Sequence, residues 1–376
     1  MTNKDFKVFD SDMHCMEPPD LWQRYIDKPF RHRAPVGMQR SFYDAGYQLE
    51  GHIMPKLLEK GKTPPFNTSH YLLMDRLKQR FKTFSDRNWG PECQIEAMDA
   101  EGIDLAAIFP TRGLYAVAMD DLDTDFAAAI VRAYNNWIYD YCNHNPQRLL
   151  PVGLISPHNV DDAIRESRRV MTELGFKGVS MRPNLVKGRN WHDEYYDPLW
   201  AELQQLNAPM AFHAAMGPML PEVGQRFGDN VFLRHVACSP MEMMLAALSI
   251  TGGGVFHRFP GLRIGFLEGN CGWVPWLIDR MDDHFDMHFF VNLDDMPQPP
   301  SFYFKRQAYV SVEPDERFVA QVINYMGSAQ ILFSTDWPHP DSKYPHSVQT
   351  FLETPISKID KQRILWDNTA QFYGIS

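Results

Sequence analysis

Three short segments of this 376-residue chain carry side chains able to hold a divalent cation. In VFDSDMHCME (8–17) an apolar run leads into Asp12 and His14. Residues i and i+2 share one side of a strand, so one hard oxygen and one imidazole nitrogen can point together. That donor pair suits Zn2+, Mn2+ or Fe2+. A bare DxH also describes an aspartate capping a turn. In PMAFH (209–213) a strand-like run ends on His213, which standing alone equally describes a core histidine hydrogen-bonded at a strand end. In ILFSTDWPHP (331–340) an apolar run stops on Asp336; a helix N-cap is the alternative there, although Pro338 and Pro340 make an immediate helix start awkward.

The elements that must position these residues can be read from periodicity. Short apolar, β-branched runs at 6–12, 104–110, 149–156, 175–182, 208–214, 262–268, 308–312 and 331–336 alternate with helical patterns such as 161–174, 196–205 and 240–250. This is the rhythm of parallel βα units and predicts an α/β fold, a (β/α)8 barrel, an architecture of roughly 200 to 400 residues. The three segments then fall at the C-terminal ends of strands one, five and eight, the face on which barrel enzymes build active sites. Capping aspartates and core histidines have no reason to share that address, so Asp12, His14, His213 and Asp336 are expected to bind one metal.

Residues 1–376 read as a single domain with an inserted cap at 28–96, because about 90 residues separate the first two strands and 28–65 is rich in Pro, Gly and aromatics. Long structured loops are more often functional than accidental, so the cap is expected over the barrel's C-terminal mouth. A second irregular stretch covers 282–301. Other polar residues at predicted strand ends are Arg112, Arg182 and His339. Arg182 suits either a substrate carboxylate held bidentately or an ion pair at the rim. Arg112 is grouped with it as substrate-binding. His339 suits a substrate or ligand-orienting contact, or a solvent-exposed loop. His235 belongs either on the loop after strand five or beneath helix 240–250. Trp273, Trp276, 241–244 and 302–304 read mostly as core.

The net charge of −10 argues against broad contact with nucleic acid or anionic membrane. With 44% hydrophobic and 13% aromatic residues, the chain can bury a large core. Five dispersed cysteines without a CxxC pair fit a reducing compartment. The N-terminus lacks a signal-type apolar region and no run of about 18 apolar residues occurs, so the expected location is cytoplasmic.

FDSDMHCMEPPDLW, RFPGLRIGFLEGNCGWVPW (258–276), FSTDWPHPD (333–341) and ILWDNTAQFYGI (364–375) together resemble the amidohydrolase-related family, the aminocarboxymuconate-semialdehyde decarboxylase-like branch of the amidohydrolase superfamily. The resemblance spans nearly the whole chain. It implies a (β/α)8 barrel and a divalent metal, most often zinc and sometimes manganese or iron. Asp12 stands where the family has His or Glu in its (H/E)xH pair; His14, His213 and Asp336 match the remaining ligands. In the decarboxylases of this branch strand six ends on a proton-handling histidine, whereas here that position is Glu268. Glu17, Glu268 and His235 are possible ligands of a second metal. The alternatives are Glu17 capping the 18–25 helix and Glu268 in a buried ion pair.

The leading expectation is hydrolysis by metal-activated water of a small, cyclic or aromatic carbonyl substrate, cleaving an amide, lactone, thioester or carbon–carbon bond. The resemblance gives Asp336 a dual role as ligand and base; Glu268 and His339 are the further catalytic candidates. The alternative is non-oxidative decarboxylation of an aromatic or enol-type acid. A third reading is a barrel that has lost catalysis and only binds. Apart from a small-molecule substrate, the expected partners are further copies of the chain, as a dimer or tetramer.

Overall fold

Strand propensity and helix caps lay down the frame. The computed structural model describes residues 5–39, 46–54, 68–215, 220–228, 230–287 and 295–375. Eight strands form one sheet in chain order: β1 (Phe9–His14), β2 (Leu105–Phe109), β3 (Leu149–Leu154), β4 (Gly178–Met181), β5 (Met210–His213), β6 (Ile264–Leu267), β7 (Ala308–Val312) and β8 (Ile331–Phe333). The seven pairings between neighbouring strands of this sheet are all parallel. At the C-terminal end the sheet curls round on itself, with the Asp336 amide donating to the Asp12 carbonyl (3.2 Å) and the His14 amide to the Trp337 carbonyl. The architecture is the expected (β/α)8 barrel.

Two of the longer helices between strands start where the sequence supplies an acceptor. Asn159 takes the amides of Asp161 and Asp162 at the head of Val160–Thr172, and Asp123 takes that of Phe126 at the head of Thr124–Cys142. Period-2 alternation then sorts the strand residues. Phe9, Ala107, Phe109, Leu150, Val152, Ala211, Tyr309 and Leu332 fill the barrel interior together with Phe372 and Tyr373. The C-terminal helix Asn368–Tyr373 contributes those last two rings: Tyr373 stacks on Phe9 and donates its hydroxyl to the Ser11 carbonyl (3.0 Å). Gly265 of β6 is small for a reason, since a Cβ there would lie 3.0 Å from Phe372. This apolar plug leaves the opposite end of the barrel for polar groups.

The insertion after β1 contains the 3-10 turn Lys28–Arg33, a small antiparallel sheet (Val36–Gly37, Tyr47–Leu49, His52–Met54) and the helix Thr68–Ser85. Residues 40–45 and 55–67 of the expected cap, and 288–294 of the second irregular stretch, lie outside the described residues. What is described packs on loops that follow β1, β2 and β8. The Gly37 amide donates to Pro19, Met38 accepts from Arg112, and Arg80 donates to Ser342 while Phe84 meets Trp337 edge-on.

Two sequence expectations change. The helix expected at 240–250 is Val231–Gly252, carrying Pro240 in its interior, so His235 lies on a helix rather than a loop. The Met- and aromatic-rich stretches divide: Met243, Tyr303 and Phe304 are buried, but Met241, Trp276 and Phe302 are exposed on the barrel's outer surface.

Candidate metal centre and its surroundings

β1 delivers its polar pair through a bulge. Asp10 pairs with Ala106 but Met13 with Ile108, so β1 carries one extra residue there. Met13 joins the outer core while Asp12 and His14 face the mouth, both fully buried. On β5 alternation suffices: Ala211 points inward, Phe212 outward, His213 inward. Glu268 breaks that rule. Leu267 before it is already inward, so a continued strand would turn Glu268 out; instead β6 stops and Glu268 takes a left-handed φ of 53°. Its amide donates to Ser311 Oγ at 2.9 Å and its carboxyl returns to the mouth. Asp336 likewise sits at φ 55° beyond β8. Holding two non-glycine residues there costs on the order of 1 kcal/mol each, a strain typical of functional sites.

The two imidazoles converge on their Nε2 atoms. His14 Nδ1 lies 2.7 Å from the Pro110 carbonyl and His213 Nδ1 3.0 Å from the Ala214 carbonyl. A carbonyl only accepts, so each Nδ1 carries the proton and each Nε2 presents a lone pair. Those lone pairs face carboxylates: His213 Nε2 is 3.1 Å from Asp12 Oδ1 and 3.2 Å from Glu268 Oε2, and His14 Nε2 is 3.3, 3.6 and 3.4 Å from Asp12, Glu268 and Asp336. His14 Nε2, Asp12 Oδ2 and Glu268 Oε2 make no hydrogen bond. Acceptors gathered around one point need a cation or an added proton between them. One donor each from Asp12, His14, His213 and Glu268 lie within 4.8 Å of one another, and a second overlapping set joins His14, Glu268, Asp336 and His339. Two imidazole nitrogens and two carboxylate oxygens fit a divalent ion.

Without a cation, protons fill that need. Burial works against a charged His213, but the carboxylates of Asp12 and Glu268 outweigh it and push it up to about 9. Burial also opposes the Asp12 charge, yet His213 and His14 hold Asp12 below the usual carboxylate range. Burial pushes His14 down to about 3 and His339 to about 4. Burial, followed by the charge of Asp336, raises Glu268 far above the carboxylate range; burial and then Asp341 do the same to Asp336. His339 Nδ1 lies 2.6 Å from Asp336 Oδ1 and Nε2 3.2 Å from Thr111 Oγ1, with its ring stacked on His14 at 4.0 Å.

Other residues singled out in the sequence stand elsewhere. Glu17 accepts the amides of Arg112 and Gly113 at 2.8 Å each, so it ties down the loop after β2. Arg112 donates to the carbonyls of Glu17 and Met38, bracing the cap. Arg182 donates to the carbonyls of Val117, Ala118 and Leu185 and pairs with Asp120. His235 pairs with Asp341 at 3.4 Å and is about half exposed. None of these four is in either metal-capable set among the described residues. Sequence reasoning passed over Asp10, which accepts the amides of Asp12 (3.1 Å) and Thr335 (3.2 Å) and the Thr335 hydroxyl, cross-bracing β1 to the turn that carries Asp336. A carboxylate inside an apolar strand must have such partners, and DSDMH shows it.

Fold and site together define a metal-dependent barrel enzyme. Residues 12–375 match the amidohydrolase family, and the chain belongs to it. It is 26% identical to the 2-amino-3-carboxymuconate-6-semialdehyde decarboxylase of Dictyostelium discoideum (78% of this chain, 79% of the relative). It is 25% identical to the gamma-resorcylate decarboxylase of Polaromonas sp. JS666 (80% and 90%). An amidohydrolase from Mycobacterium avium subsp. paratuberculosis superposes with a TM-score of 0.79 at 23% identity, over 98% of this chain and all of its own. A dihydroxybenzoic acid decarboxylase from Polaromonas sp. JS666, with bound manganese and 2-nitroresorcinol, gives 0.65 at 18% identity over 98% and 97%. No described helix is long and apolar enough to cross a membrane.

Proposed function

We propose that this chain is a metal-dependent decarboxylase of a small aromatic or enol-type carboxylic acid. This takes the second of the two chemistries read from the sequence over hydrolysis, and the curated relatives above support that order. The observation that carries it is the placing of the Asp336 carboxyl, buried at the mouth on left-handed backbone with His339 Nδ1 2.6 Å from its Oδ1, where a proton can be held and aimed at the bound acid. Decarboxylation needs an acid at the mouth; hydrolysis needs a base.

Asp12, His14, His213 and Glu268 are the residues that would hold the metal, zinc or manganese, whose charge would polarise and orient the bound acid. Asp336 gives its proton to the carbon that bears the carboxylate. The bond from that carbon to the carboxylate then breaks, its electron pair returns to the π system to restore the ring or enol, and carbon dioxide leaves. A solvent proton restores Asp336. His339, fixed between Asp336 and Thr111, sets the direction of the carboxyl. Arg112 and Arg182 act as braces for the mouth rather than as carboxylate clamps.

The test is product analysis of the metal-loaded enzyme with a panel of ortho-hydroxylated aromatic and enol-type acids in labelled solvent. Carbon dioxide release with one solvent deuterium on the vacated carbon is expected. Heavy oxygen from solvent water in the product, without carbon dioxide, would replace this reading by hydrolysis.

A further inference from the structure

Asp10 lies in β1, fully buried, two residues before Asp12 and outside both metal-capable sets among the described residues. Its Oδ1 takes the Asp12 amide at 3.1 Å. An aspartate that accepts the amide two residues on competes with a strand ladder, and β1 slips its register against β2 at this point. The same carboxylate reaches across to the turn after β8. Oδ1 also accepts the Thr335 amide at 3.2 Å, Oδ2 accepts the Thr335 hydroxyl, and Thr335 Oγ1 in turn accepts the Trp337 amide at 3.3 Å. The residues on both sides of Asp336 are thus tied to Asp10. Asp336 itself keeps the left-handed φ of 55°, which a non-glycine residue leaves unless its surroundings hold it.

We propose that Asp10 is a positioning residue: through the Asp12 amide it sets a metal ligand, and through Thr335 it sets the Asp336 carboxyl, so ion and acid stay in one register. The place of these bonds separates the role from that of a plain brace. No ladder pairing joins β8 to β1 among the described residues, and single bonds close the seam between them. Two run backbone to backbone, from the Asp336 amide to the Asp12 carbonyl and from the His14 amide to the Trp337 carbonyl. The Asp10 bonds lie beside them and end on Thr335. All of these end on Asp12, His14, Asp336 or a residue flanking Asp336, so whatever closes the seam also sets the site. Glu268, the other left-handed carboxylate, has its own support in the Ser311 hydroxyl, so Asp10 acts on Asp12 and Asp336 and leaves Glu268 alone. The Asp336 arm rests on the decarboxylase reading above; the Asp12 arm does not.

The experiment titrates the full-length chain with Mn2+ alone and measures kcat and KM on whichever acid of the panel is turned over. Asp10→Ala frees the Asp12 amide and the turn together and should weaken Mn2+ binding by roughly 10- to 100-fold. Asp10→Asn, whose side-chain oxygen can still accept both amides, should stay within about threefold of the unaltered chain. Thr335→Val keeps the volume and the bond from Asp10 to the Asp12 amide but removes the hydroxyl. It should bind Mn2+ normally while kcat falls roughly 10- to 100-fold at unchanged KM, and Thr335→Ser should restore kcat. Lower melting temperatures with Mn2+ affinity and kcat untouched would make Asp10 a plain seam brace and overturn the proposal. So would full kcat in Thr335→Val where Asp336→Asn has lost it, and that comparison decides if Asp10→Ala does not fold. Should Asp336→Asn itself stay fully active, the decarboxylase reading falls, and unaltered Mn2+ affinity in Asp10→Ala is then the result that overturns the positioning role.

Discussion

Glu268 and Asp336 both turn into the mouth on left-handed backbone, and replacing each carboxyl by its amide should separate holding the metal from donating the proton. Glu268 Oε2 lies 3.2 Å from His213 Nε2 and 3.6 Å from His14 Nε2, inside the compact set, whereas the Asp336 carboxyl lies 3.4 Å from His14 Nε2 and falls in the second set, 2.6 Å from His339 Nδ1. Glu268→Gln keeps the shape but removes a charged oxygen from the ion. A loss of at least about 100-fold in metal affinity is expected, roughly 2.7 kcal/mol, and the same amount should vanish from the stabilisation seen at fixed saturating metal. Asp336→Asn should leave metal content near that of the unaltered enzyme and lower kcat by roughly 10² to 10⁴, the usual worth of a general acid, or about 2.7 to 5.4 kcal/mol of barrier. The assays are elemental analysis after dialysis, thermal melting with and without metal, and kcat on the metal-saturated protein. The reasoning fails if Glu268→Gln retains full metal and turnover, which would make Glu268 a structural group. It fails equally if Asp336→Asn loses the metal, which would return Asp336 to the ligand role that the family resemblance implies.

Three further outcomes are expected. His213→Ala removes one of two imidazoles and should abolish both bound metal and turnover; activity with metal retained would count against the site. Metal-free protein should lose stability as pH rises from 6.5 to about 9, because His213 is raised in the fold and its contribution, at most about 3 kcal/mol, is present below its unfolded pKa and lost through its folded one. Metal must displace that proton, so its stabilising effect should grow over the same window; a flat melting profile of the metal-free protein would contradict the assignment. Arg182→Lys cannot replace the fork that joins three carbonyls and Asp120, so melting should drop by the equivalent of roughly 2 to 4 kcal/mol. An unchanged melt with a tenfold higher KM would instead place Arg182 on the substrate.

What the sequence by itself determined was carried by short-range periodicity. Eight apolar runs separated by helical patterns sufficed for the barrel. Alternation on β5 sufficed to send His213 inward, because the inward residues of Ala211 and His213 are two apart in an unbroken strand. Asp12 and His14 face the mouth together as their spacing predicts, although a bulge sets the register. Tertiary structure decided the rest. Glu268 reaches the mouth only because β6 ends one residue early, and no local pattern announces a left-handed glutamate. Glu17, Arg112 and Arg182 have the chemistry of ligands and clamps, but carbonyls and amides brought from more than sixty residues away use their polar groups. The apolar face of Val231–Gly252 reads in sequence like core for the same reason. Hydrophobicity records that a side chain will be covered, and only the packed barrel shows that its own chain leaves that face bare.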